Sequence, residues 1–163
     1  MRVREIAASA VIFVAVVLCC ALLTTIVPPD HWGFAICVNF LFMACFTLIF
    51  GVLHAPDYTS SYFDARPFEL EGNLYRSFGV PLFRRLLHLT GWHRLTWGRR
   101  PLGGTLDSLQ DFKYRTKGSE FVHLLSAICV AGVTMWIGWR YSLGHIKWLV
   151  PSNILLNVYP VLL

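Results

Sequence analysis

The sequence predicts an all-α, polytopic membrane protein with about four transmembrane helices and an interfacial helical segment between the second and third. Three observations carry this. Charged residues fill only 14% of the 163 positions and hydrophobic ones 56%, whereas soluble domains carry roughly 25% charged residues. Long apolar runs come in two pairs, one toward each end of the chain. Between the pairs, 55–119 holds ten of the fourteen Lys and Arg residues, interleaved with Trp, Phe and Leu. So short a chain has no room for a separate soluble domain of ordinary size, and 1–163 reads as one membrane-embedded unit.

The first span, about 6–27, is an uninterrupted apolar run of bilayer length. Arg2 and Arg4 precede it, as basic residues precede a signal peptide. The run is longer than a typical signal core, lacks a small-x-small cleavage site and is followed at once by another span, so it reads as a membrane helix. Pro28 and Pro29 stop it, because proline has no amide to donate and clashes with the preceding turn. The second span, about 32–53, follows after a few residues, which makes the pair an antiparallel hairpin. The third covers about 120–139. The fourth covers about 146–163 and is interrupted by Pro151, Asn153, Asn157 and Pro160, a pattern that predicts a tilted, broken or partly interfacial segment.

Arg2, Arg4 and 55–119 carry twelve basic residues, the 28–31 link none, and the 140–147 link Arg140 and Lys147. Basic residues accumulate on the cytoplasmic side, so both termini and the middle segment are expected there. The net charge of +5 then reflects topology and anionic lipid headgroups, and no nucleic-acid partner is expected. Cys19, Cys20, Cys37, Cys45 and Cys129 all lie in apolar runs without a C-x-x-C pair. They read as small packing residues, and no metal site is expected.

The middle segment reads as two short helices and a loop. Pro67 suits a first helical turn with Asp64 nearby as cap; Phe68, Glu71, Leu74, Tyr75 and Phe78 then share a face, and Gly79 is a stop. From Pro81 to Thr90, Leu82, Phe83, Leu86 and Leu89 lie roughly on one side and Arg84, Arg85 and His88 elsewhere, as in a helix lying in the headgroup plane. Gly91 ends it. The stretch WHRLTWGRRPLGG that follows sets Arg94, Arg99 and Arg100 among Trp92, Trp97 and loop glycines. Guanidinium groups bind phosphate bidentately, so these three arginines are candidates for the phosphates of a CoA-linked ligand; plain headgroup contact is the competing reading.

Glu120 and His123 are the candidate catalytic pair. Three residues apart at the start of the third span, they share a helix face. Ser119 is expected to cap that helix. A carboxylate can orient a histidine and raise its basicity, and the histidine can take a proton from a hydroxyl nucleophile. The competing reading gives Glu120 to the helix dipole and His123 to a neighbouring span. Asn153 and Asn157, an i, i+4 pair in the fourth span, either bond across helices or hold a substrate hydroxyl or carbonyl; Asn39 in the second span reads in the same way. The signatures H-x-x-x-x-D, G-x-S-x-G and H-E-x-x-H are missing, as are paired histidine boxes.

Three segments, FELEGNLYRSFGVPLFRRLL, TKGSEFVHLL and PSNILLNVYPVLL, together resemble the small membrane family named for glycosyl-4,4'-diaponeurosporenoate acyltransferase, over roughly 68–163. The resemblance implies acyl transfer from acyl-CoA, as co-substrate, to a sugar hydroxyl of a carotenoid glycoside, with no resident cofactor, at the bacterial inner membrane. By position it implies substrate contacts at Glu69 or Glu71 and at Tyr75, the catalytic pair at Glu120 and His123, and further contacts at Asn153, Asn157 and Tyr159. The family pattern continues into a basic, aromatic tail of the Q-R-Y-N-R kind, whereas this sequence ends at Leu163. The alternative from another class is a non-catalytic subunit of a photosynthetic or respiratory membrane complex. It would pack lipids, carotenoids or other pigments, with His31 or His54 as a tetrapyrrole ligand.

Overall fold

A computed structural model describes residues 3–53, 73–91 and 105–163, and all regular structure among them is helical. The elements are α1 (Val3–Ile26), α2 (Trp32–Val52), α3 (Asn73–Ser77), α4 (Val80–Leu89) and α5 (Leu106–Arg140), then a 3-10 turn (Leu143–Ile146), α6 (Leu149–Asn153), a π-turn (Ile154–Val158) and α7 (Tyr159–Val161). Three described helices, α1, α2 and α5, are long and apolar enough to cross a membrane. They make this a helical membrane protein. The fourth segment is helical too, but it is shorter and broken by the π-turn, as its prolines and asparagines foretold.

The helices group into two compact units. One contains α1, α2, α5 from Glu120 onward and the fourth segment; α3, α4 and α5 up to Ser119 belong to the other. In the first unit α2 is the central element. Its buried residues Phe34, Ala35, Val38, Phe42, Cys45, Phe46 and Ile49 recur at three- and four-residue steps and so form one stripe. Val130 and Ile137 of α5, Leu149 of α6 and Cys20 of α1 complete the core. Phe13 reaches from α1 to the rings of Phe42 and Phe46, with centroids 6.4 and 6.3 Å away. The hydroxyls of Ser126 and Thr134 donate to carbonyls one turn back, at 2.8 and 2.7 Å. They thus satisfy themselves within α5 and leave a small, packable surface.

The α1–α2 link ends at His31, whose Nδ1 accepts from the Gly33 amide at 3.0 Å and caps α2. Asp30 in this link meets Lys147 of the α5–α6 link at 3.7 Å, so the two links lie at one end of the unit, as an alternating topology requires. His54 lies outside the described residues.

In the second unit Gly79 has φ 77°, a left-handed conformation that glycine adopts without penalty. It closes α3 and also opens α4, which runs within a residue of its expected bounds to a C-cap at Thr90. Val80 and Phe83 are buried, whereas Leu82, Leu86 and Leu89 are exposed. Arg84 and Arg85 are exposed as well.

One boundary differs from expectation. Ser119 does not cap the helix carrying Glu120 and His123, because α5 begins at Leu106 and passes through Ser119 without a break. The cap is Thr105: its Oγ1 accepts from the Ser108 amide at 3.3 Å, its carbonyl accepts from Ser108 Oγ at 2.7 Å, and Asp107 favours the first turn electrostatically. No proline lies between 106 and 119. Gly118 alone costs a helix about 1 kcal/mol, too little to end one supported on both sides.

Candidate functional site: a histidine on a buried asparagine cluster

Inside hydrocarbon every polar group needs a partner within the protein. Four residues from four elements meet that need together. Asn39 comes from the middle of α2, His123 from α5, Asn153 from the end of α6 and Asn157 from the π-turn. Asn39 and Asn157 are wholly buried, at 0% exposure, and Asn153 nearly so.

Asn157 is the hub. Its Nδ2 donates to Asn39 Oδ1 at 2.6 Å and to Asn153 Oδ1 at 2.9 Å. Its Oδ1 faces His123 Nδ1 at 3.5 Å. Asn39 Nδ2 donates to the Ala35 carbonyl at 2.8 Å and to Ser152 Oγ at 3.0 Å, and Ser152 passes its own proton to the Leu149 carbonyl at 3.1 Å. Asn153 Nδ2 donates to the Ala127 carbonyl of α5 at 3.0 Å. The amides therefore tie α2, α5 and the fourth segment together, each bond worth on the order of 1 kcal/mol in a membrane.

The local backbone explains why Asn157 can reach both neighbours. In the π-turn the Tyr159 amide donates to Ile154, five residues back, which widens the helix. Pro160, just beyond, has no amide and so deprives the Leu156 carbonyl of its α-helical donor. That carbonyl lies close to the His123 ring. His123 itself is half-buried. Two residues before it, Phe121 stacks on Phe50 of α2 with centroids 5.5 Å apart, packing α2 against α5 beside the histidine.

The sequence-based candidates divide in three. His123, Asn153 and Asn157 are brought together, with Asn39 and Ser152 added. Glu120 lies on α5 one turn before His123 and is partly buried, while the side-chain partner seen at the ring is Asn157. Tyr75 stands on α3 in the second unit, half-buried. Glu71, Arg94, Arg99 and Arg100 lie outside the described residues. Ser152 was missed: serine is common in apolar helices, and only its position beside Asn153 hinted at a polar seam.

Fold and site thus define a helical membrane protein with a histidine mounted on a buried polar cluster. The model of the CrtO family, glycosyl-4,4'-diaponeurosporenoate acyltransferase, matches residues 59–163, and the chain belongs to this acyltransferase family. No match was found among curated proteins or among solved structures.

Proposed function

We propose that the protein transfers an acyl group from acyl-CoA to a hydroxyl of a glycosylated carotenoid or a similar lipid, with His123 as general base. The observation that carries this is the partly accessible His123 ring, which faces Asn157 in a segment that the acyltransferase family model matches. A neutral imidazole can accept the proton of the sugar hydroxyl as its oxygen attacks the thioester carbonyl carbon. The carbon–sulfur bond then breaks, and the imidazolium returns the proton to the departing CoA sulfur, so the histidine ends as it began.

In this reading Glu120 favours the imidazolium electrostatically from one turn away. Arg94, Arg99 and Arg100 are assigned to the CoA phosphates, and Glu71 and Tyr75 to binding of the lipid acceptor. The protein sits in a bacterial inner membrane among its lipids, both termini on the cytoplasmic side where acyl-CoA is supplied. Of the two readings open for Asn153 and Asn157, bonding across helices is the one favoured here, because their amides have protein partners and so suit support of the histidine. Nothing among the described residues favours the alternative of a non-catalytic, pigment-packing subunit.

The test is acyl transfer by purified protein from labelled acyl-CoA to a glycosylated carotenoid. His123→Ala is expected to lower the rate by about a hundredfold or more, the scale of a lost general base. Unchanged turnover in that variant would remove the mechanism.

A further inference from the structure

An asparagine can present either its oxygen or its NH2 group to a neighbour, and the surrounding hydrogen bonds decide which. Here the decision can be traced from groups that have no choice. The main-chain carbonyls of Ala35 and Ala127 only accept. Asn39 gives Nδ2 to the first, at 2.8 Å, and Asn153 gives Nδ2 to the second, at 3.0 Å. Both must therefore turn Oδ1 the other way, and both oxygens face Asn157, at 2.6 and 2.9 Å. Two oxygens converging on one amide require its NH2. Turning Asn157 over would set its oxygen against both. Its Oδ1 is thus committed to His123, and an oxygen there requires hydrogen on Nδ1.

We propose that Asn157 is a positioning residue for His123: oriented by Asn39 and Asn153, it holds the imidazole with its proton on Nδ1, so that Nε2 is the basic nitrogen offered to the acceptor hydroxyl. This rests on the catalytic reading of His123 above. It assigns the asparagine cluster a role that gluing helices together would not need, because glue is indifferent to which ring nitrogen is protonated. It also gives the orienting role to an uncharged side chain. A neutral acceptor fixes the tautomer as a carboxylate would.

The experiment is nitrogen NMR of 15N-histidine-labelled full-length protein in lipid nanodiscs, with His123 assigned by its loss in His123→Gln. The wild type is expected to show the Nδ1–H tautomer, and Asn157→Leu to lose it. The same variant is expected to lower kcat about tenfold to a hundredfold, within the range of impaired acid–base catalysis, with KM little changed. An Nε2–H tautomer in the wild type overturns the proposal, and so does an unchanged tautomer in Asn157→Leu; the wild-type spectrum alone decides if that variant does not fold. The two levels fail separately. Turnover retained by His123→Ala overturns the catalytic reading and the positioning role with it. An inactive His123→Ala beside an Nε2–H wild type overturns the positioning role alone.

Discussion

The two helices of the first hairpin are similar in length and both apolar, yet they live differently. Along α1 a single described residue, Cys20, is fully buried, and Val11, Leu18, Leu22 and Ile26 are exposed. Along α2 a continuous stripe from Phe34 to Ile49 is buried, with Asn39 in its middle. Apolarity shows that a helix can cross a membrane but not what it touches there, since lipid is as apolar as leucine. Helices associate in lipid through close packing and through polar groups that cannot be left unpaired. Asn39 marks the helix that organises the core. In α1 the threonines satisfy themselves, Thr24 on Ala21 and Thr25 on Leu22, both at 2.7 Å.

Four substitutions test this contrast, each read as a change in unfolding free energy in detergent or bicelles. Phe42→Ala, in the α2 stripe, is expected to cost about 3 kcal/mol. This is the low end for a buried phenylalanine, because the lost transfer term is small when the surroundings are lipid. Asn39→Leu is expected to cost about 2 kcal/mol, since it removes three hydrogen bonds and strands part of the Asn157 amide. Leu22→Ala in α1 should stay within about 0.5 kcal/mol. If it approached the cost of Phe42→Ala, α1 would be packed as tightly as α2 and the contrast would fail. Ser119→Ala should be the mildest, a few tenths at most, because Ser119 lies inside α5; a loss of about 1 kcal/mol would mean that it acts as a helix cap after all.

Much of this was legible in the sequence. The hairpin, the Pro28–Pro29 break and α4 between Gly79 and Gly91 follow from local rules about which residues a helix tolerates and which end it. The start of α5 was not, because Ser119–Glu120 imitates a helix start and the weaker signal, Thr105 with Asp107 and Ser108, precedes a polar stretch without apolar periodicity. The candidate site was half legible. A lone asparagine in an apolar run announces that it needs a partner, and the i, i+4 spacing of Asn153 and Asn157 places them on one face. Which partner each finds is a matter of tertiary register. Asn39 and Asn157 are separated by 118 positions, and the π-turn that lets Asn157 face both Asn39 and His123 has no signature beyond the nearby prolines.

That turn also has a consequence for chain length. A π-turn accommodates one residue more than the α-helix around it, so the segments on either side are held in phase by an apparent surplus. Removing Leu155 would let the helix close into ordinary α geometry and leave its two flanks nearly in phase, since the surplus residue is the one taken out. Asn157 would then stand three residues after Asn153 instead of four, on the same face but without the widened turn that lets it face both Asn39 and His123. Adding a residue to the regular helix just before the turn would instead swing everything after it by about 100°. In this stretch the number of residues is itself a determinant of the site.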